Sequence, residues 1–184
     1  MQETSRVNSN MRYQISGLAM VFSLAPGLAA AEQVCVRDTL RAETAALRLE
    51  VSDDVVKDPV TSLMWRRCSE GVTGTNCDSG EPSLMSWPTA LLHIEKINQS
   101  GNGQVFTDWR LPNIKEIVSI ADLQCSNPSL NPEAFPSAPA MRIWSSTPYE
   151  FYPHFSWYVD TKDLLVDHVE RSARYGVLLV RNYQ

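Results

Sequence analysis

The sequence has little of what most dedicated chemistries require. Of its 184 residues only three are histidine and four cysteine, and no two of these stand at the two-to-four-residue spacing of zinc ligands. The histidines have no Gly-x-Ser-x-Gly elbow and no His-Glu-x-x-His partner, so neither a hydrolase nucleophile nor a zinc protease is expected. Positive charge is short: 16 Lys and Arg face 21 Asp and Glu, a formal charge of −5, the wrong sign for a polyanion binder, so nucleic acid is not an expected partner. Eight glycines without a Gly-X-Y period exclude a collagen-like repeat, and four cysteines are too few for a disulfide-dense miniprotein. What is there, 43% hydrophobic and 20% charged residues, is the composition of a chain that buries a core, of a length suited to one domain.

The first 31 residues predict a cleaved secretory leader. Arg6 and Arg12 make a positive start, Ile15 to Ala25 is an eleven-residue apolar stretch, and Ala29-Ala-Ala31 presents small side chains before Glu32. Met11 is a second candidate start. The apolar run is interrupted by Pro26 and Gly27 and falls short of the roughly 20 residues that span a bilayer. No membrane span is expected in the mature chain. Cys35 does not follow the small residues directly, so no lipid anchor is expected either. Residues 32–184 carry 14 basic and 20 acidic side chains, a formal −6. The expectation is a leader over 1–31, a lead-in over 32–46 and a domain over 47–184, exported to the periplasm or beyond the cell.

Cys35, Cys68, Cys77 and Cys125 all lie after the leader, and an even number in an exported chain points to disulfides. Three pairings are possible. The turn-rich segment between Cys68 and Cys77 favours that pair, which leaves Cys35 with Cys125. The chain-entropy model assigns about 2.7 kcal/mol to the short loop and about 4.6 kcal/mol to the long one.

Leu47, Leu49 and Val51 alternate with Arg48 and Glu50 as in a half-buried strand, and Asp58-Pro59 turns into a second strand over 63–67. Ser86 caps a helix whose stripe is Trp87, Ala90, Leu91, Ile94 and Ile97. His93 lies off that stripe and reads as a solvated surface residue, and Gly101 and Gly103 end the helix. Asn113 and Glu116 form a capping box for a second helix reaching Asp122. Five prolines between 127 and 148 predict a long irregular loop. Strands are expected over 143–146, 155–160, 164–170 and 175–181, with Asp160 to Asp163 as a hairpin turn. The order is that of an α+β domain.

Seven segments in order across about residues 50–184 carry a resemblance. They are Val56-Lys-Asp-Pro-Val-Thr-Ser-Leu-Met-Trp65, Arg66-Arg-Cys-Ser-Glu-Gly71 and Asp108-Trp-Arg-Leu-Pro-Asn-Ile-Lys-Glu116, then Asn131-Pro-Glu-Ala-Phe-Pro136, Trp144-Ser-Ser-Thr-Pro148, Ser156-Trp-Tyr-Val-Asp160 and Val177-Leu-Leu-Val-Arg181. Together they resemble the Lcl C-terminal domain family, named for a collagen-like adhesin. Trp109-Arg-Leu-Pro112 is also similar to a signature of C-type-lectin-like and formylglycine-generating-enzyme-like domains. The resemblance implies a C-type-lectin-like fold: two helices, a small twisted antiparallel sheet and a long irregular loop region. One departure is that Leu49-Glu-Val-Ser-Asp-Asp54 stands where the family has a glycine-rich stretch.

Within the matched motifs Trp65, Trp109, Trp144 and Trp157 fit core packing, Arg110 fits a loop brace on a carboxylate, and Pro112, Asn113 and Glu116 shape the entry to the second helix. Residues 149–158 hold six of the chain's 16 Phe, Trp and Tyr residues. Strand alternation there is expected to send Phe155 and Trp157 inward and Tyr158 outward. Tyr149, Phe151, Tyr152, His154 and Tyr158 are the candidate ligand-binding residues, for a glycan or an envelope or surface protein. The alternative for them is a satellite hydrophobic cluster under the loop. No cofactor is expected. Calcium, which lectin-like loops often use, has as candidates Asp108, Asn113, Glu116 and Asp122. Arg66, Arg67, Arg171, Arg174 and Arg181 are candidates for a local basic patch toward sulfated glycans. The reading is a non-enzymatic binding module. Its alternatives are a structural subunit of an envelope or secretion assembly and, behind that, an enzyme related to the formylglycine-generating-like domains.

Overall fold

A computed structural model describes residues 33–36, 45–100, 106–138 and 140–183. The expected leader, Gly101, Gly103 and Pro139 lie outside the described residues. In chain order the elements are β1 (Val34–Cys35), a 3-10 turn (Ala45–Leu47), β2 (Glu50–Val51), β3 (Val55–Asp58), β4 (Leu63–Arg66), β5 (Val72–Thr73) and β6 (Ser79–Gly80). Then come α1 (Trp87–Gln99), α2 (Ile114–Ser119), β7 (Cys125–Ser126), β8 (Arg142–Pro148), β9 (Phe155–Asp160), β10 (Leu165–Glu170) and β11 (Val180–Asn182). Two helices with several antiparallel sheets make this an α+β chain. No helix among the described residues is long and apolar enough to cross a membrane.

The central sheet has strand order β11-β4-β3-β2, all antiparallel. Its inner strand β4 is buried on both faces. Trp65 stands opposite Val56 and Val180 and faces a core shared with Ile117, Phe135 and Leu178. Met64 points the other way, into a core with Ala90, Ile94, Trp109, Trp144 and Leu179. A second sheet, β10-β9-β8, is separate from the first, and a parallel bridge from Ile143 to Gly176 ties it to the segment that leads into β11.

The helices begin where their caps put them. The Ser86 hydroxyl accepts from Thr89 N, and Asn113 and Glu116 complete a reciprocal capping box at α2. Both disulfides pair as favoured: Cys68 with Cys77, and Cys35 with Cys125. The long bridge sits where β1 pairs with β7, so residues 33–36 are laid onto the domain, with the Gln33 amide donating to the Pro128 and Leu130 carbonyls.

Several expectations are corrected. Leu47 is in the 3-10 turn and largely exposed, so the strand expected from residue 47 is only Glu50–Val51. The alternation misled because Arg48 turns inward. Its Nε and Nη2 donate to the two Asp58 oxygens at 2.9 Å each, and Nη2 also reaches the Ser119 carbonyl at 2.6 Å. Leu91 is exposed, since the helix buries only Ala90 and Ile94 fully. Helix α2 stops at Ser119, with Ile120 as its cap and Ala121 bridged to Leu130. The last strand is Val180–Asn182. Val177, Leu178 and Leu179 are buried in both cores without a continuous ladder. The irregular loop ends at β8, which takes up residues 142–148.

Asp58 is wholly buried. Burial pushes its carboxyl up, but the Arg48 fork, the Arg48 charge and the Val60 N–H outweigh that and hold it below the usual aspartate range. Glu116 behaves alike: burial raises it, and Arg110, at 2.7 and 2.8 Å, with the Asn113 N–H brings it below its ordinary value. Carboxyls depressed in the folded state bind protons more readily when unfolded. Their stabilisation is therefore present above the ordinary carboxylate range and lost as pH falls through the depressed values. Urea midpoints should be flat near neutrality and drop below pH about 4. Asp58→Ala, which strands Arg48, should cost about 2–4 kcal/mol in the same measurement.

Candidate functional site

Strand β9 alternates from Phe155 to Tyr158 before Val159 is buried as well, and that parity builds the site. Ser156 and Tyr158 face inward while Phe155 and Trp157 face the other side. This inverts the expected orientation. Tyr158 is 5% exposed, packed against Tyr175 at 4.7 Å with the Arg142 guanidinium over its ring. Burial, with the neighbouring Tyr175 and Asp167, pushes its hydroxyl pKa up. Tyr158 is therefore a core residue and leaves the candidate set. When aromatic residues occupy both faces of a strand, their pattern cannot say which face is inside.

The outer face carries a cluster of rings centred on Tyr149. The β9–β10 register sets His168 opposite Trp157. The His168 imidazole lies flat against the Tyr149 ring, with centroids 3.8 Å apart and planes 2° from parallel. Trp157 presents its edge to both, at 5.4 Å from Tyr149 and 5.5 Å from His168. Phe151, Tyr152 and Phe155 complete the ring of neighbours around Tyr149. The loop holds this shape through its own backbone: Phe155 N donates to the Tyr152 carbonyl at 2.9 Å, and Tyr149 N to the Phe155 carbonyl at 3.3 Å. Behind it the β8–β9 register shifts between Trp144 and Pro148, which turns the chain outward before Tyr149.

Exposure within the cluster is graded. Phe151 is 74% and Tyr152 54% exposed, and His154 is open to solvent, while Tyr149, Phe155 and Trp157 are half-buried beneath them. The result is an aromatic platform with a half-buried centre and, at its edge, two exposed rings packed against it. Tyr149, Phe151, Tyr152 and His154 are brought together; Phe155, Trp157 and His168 are members that sequence reasoning missed. The signal for His168 was available. A hairpin turn placed at 160–163 sets His168 across from Phe155, on the face that also carries Trp157; the observed loop over 161–164 moves it opposite Trp157.

The other motif residues are structural in position. Trp65, Trp109 and Trp144 are buried, and the Trp144 indole N–H donates to the Met85 carbonyl at 2.7 Å. Arg110 forks onto Glu116, and Pro112 is buried beside it. Of the calcium candidates, Asp108 pairs with Arg181 at 2.6 Å, Asn113 and Glu116 are engaged in the capping box, and Asp122 accepts from Gln124 N. Among the described residues no group of three or more His, Cys, Asp or Glu side chains is placed to hold a metal ion. The arginines of the suggested basic patch are engaged in separate contacts. Arg66 pairs with Glu70 and Arg181 with Asp108, Arg171 lies 4.2 Å over the Trp87 ring, and Arg67 donates to the Thr75 and Glu133 carbonyls. Arg174 is exposed.

The platform and both cores lie within one matched region: the family model of the Lcl C-terminal domain covers residues 54–181. No curated protein matches the chain.

Because more than half of each of the two outermost rings is exposed, Phe151→Ala with Tyr152→Ala should lower the melting temperature little, within about 0.5 kcal/mol of stability. Trp144→Ala, which empties a fully buried site, should cost about 3–5 kcal/mol. Thermal and urea denaturation of the two variants side by side checks the contrast.

Proposed function

The chain belongs to the Lcl C-terminal domain family, and from that premise we propose that it is an exported, non-enzymatic binding module. Its aromatic platform receives neutral glycan chains. The observation that carries this reading is the Tyr149–His168 stack with Phe151 and Tyr152 exposed above it. Sugar rings present C–H faces that pack on aromatic planes, and the Tyr and His polar tips supply hydrogen bonds at the edges. A platform already stacked on itself loses little side-chain freedom on binding, which suits weak and repeated contacts along a chain.

Export is supported by two disulfides, which persist in oxidising surroundings. A lectin-like arrangement is supported by two helices flanking antiparallel sheets, with the ligand face on a loop between strands. The binding role over catalysis is supported by the engagement of every cysteine in a bridge. It is supported too by the histidines: two are in the platform and the third, His93, is held by Glu70.

A glycan array probed with the wild-type chain should return neutral saccharides, and Phe151→Ala with Tyr152→Ala should reduce that signal at least tenfold. A blank array combined with co-purification of an envelope protein through the same two residues would replace this reading with that of an assembly subunit. On a heparin column the chain should pass through at low salt, given its −6 over residues 32–184.

A further inference from the structure

On the Met64 side of the central sheet, a cleft of about 420 Å³ opens between the end of β4 and the short disulfide loop. It shares no residue with the aromatic platform. Val55, Val72, Phe106 and Trp109 form its apolar part, with Trp109 and Phe106 edge to face at 6.1 Å. Arg66 and Glu70 form its polar part, and Asp54 stands at its exposed rim. The volume is in the range of small-molecule sites, and the lining has their character: apolar walls with a few fixed polar groups.

The polar pair is unusually well held. Glu70 is 8% exposed. One of its oxygens accepts from Arg66 Nη1 at 2.7 Å, and the other contacts His93 Nε2 at 2.7 Å. This is the contact that takes His93 away from the solvated role expected of it. The backbone is pinned as well: Arg66 N donates to Leu179 O and Glu70 N to Val177 O, each at 2.9 Å. The opposite wall is the loop closed by Cys68–Cys77, contributing Gly71, Thr73 and Gly74. Gly71 has φ +95°, and a Cβ there would stand 2.5 Å from the Glu81 carbonyl. Bridge and glycine together keep this wall in one shape before any ligand arrives.

Charge decides what fits. An anion drawn to Arg66 is opposed by Glu70 and Asp54, and a cation drawn to the carboxylates is opposed by Arg66. A neutral group meets neither penalty. Arg66 keeps guanidinium N–H groups beyond the one given to Glu70, and each carboxylate oxygen of Glu70 keeps a lone pair. A donor and an acceptor fixed side by side next to an aromatic wall match adjacent hydroxyls on a ring with an apolar face. We propose that this cleft is a second, recessed binding site for a single neutral sugar ring, with Arg66 donating to one hydroxyl and Glu70 accepting from its neighbour. The site stands independently of the platform: either can exist without the other.

The test is nitrogen-15 NMR of the intact, oxidised chain titrated with glucose, galactose, mannose and N-acetylglucosamine, each to about 50 mM, enough to saturate a millimolar site. At least one should move the amides of Gly71, Thr73 and Gly74 saturably, while the amides of Tyr152 and His168 report the platform separately. Glu70→Gln should weaken the cleft response at least about tenfold, since charge-assisted hydrogen bonds are the stronger kind. Arg66→Lys, which keeps the charge but loses the planar fork, is the second variant should the first misfold. Acetate and ethanolamine serve as charged probes. The proposal is overturned if no sugar moves the cleft amides, if either charged probe saturates them instead, or if a folded variant binds as well as the wild type.

Discussion

Strand β4 has no solvent face, and the remainder of the domain is arranged around that fact. Leu63 and Trp65 need one apolar layer and Met64 another, so three residues oblige the chain to build two cores. One is supplied by α2, the proline-rich segment, Ile143 and Val159; the other by α1, Trp109, Trp144 and Tyr158. A strand so placed cannot shift register, because a one-residue slip would exchange an indole for a thioether on both sides. Whatever leaves its ends is thereby fixed in place: the Cys68 loop at one end and the Asp58 turn at the other.

Much of the chain around this strand is irregular, and the same device recurs where it must be held. Three carboxylates, Asp58, Glu70 and Glu116, each lie in the interior or close to it, and each is gripped by an arginine from a different segment or turn: Arg48, Arg66 and Arg110. Buried pairs of this kind add little net stability over a well-packed apolar replacement, but removing one partner leaves an uncompensated charge. Their contribution is to geometry. Arg48 ties the segment before the first sheet to the end of α2, Arg110 joins α2 to β11 through Asn182, and Arg66 with Glu70 shapes one wall of the cleft. Long-range covalent closure adds to these ties, since the Cys35–Cys125 bridge spans 90 residues.

The two candidate surfaces divide the aromatic residues by role. Rings fully enclosed by the cores, Trp65 and Trp144, have tertiary partners that define one conformation each. Rings on the outer face of β9 and the loop before it have mainly one another. A cluster that satisfies its own stacking while leaving Phe151 and Tyr152 exposed is a surface feature with internal order. The proposed functions of platform and cleft both rest on this economy of motion. In each, the groups that would meet a ligand are already held by hydrogen bonds, stacking or a disulfide.

The chain's own residues determined the features that depend on near neighbours. The helix starts at Ser86 and Asn113 follow from side chains bonding to backbone three residues on, and the Cys68–Cys77 pairing follows from a short turn-rich loop. The strand over 155–160 and the hairpin after it were equally legible, and so was the family, whose motifs run in order through the sequence. Tertiary structure alone decided which face of a strand looks inward. Tyr158 and Trp157 are neighbours of similar character, and only the second layer, Tyr175 and Trp144 on one side and solvent on the other, assigns them opposite fates. The same holds for Arg48 and His93, polar residues that periodicity sends to water. Their acidic partners, Asp58 and Glu70, stand 10 and 23 positions away, and a partner at that distance leaves no trace in local pattern.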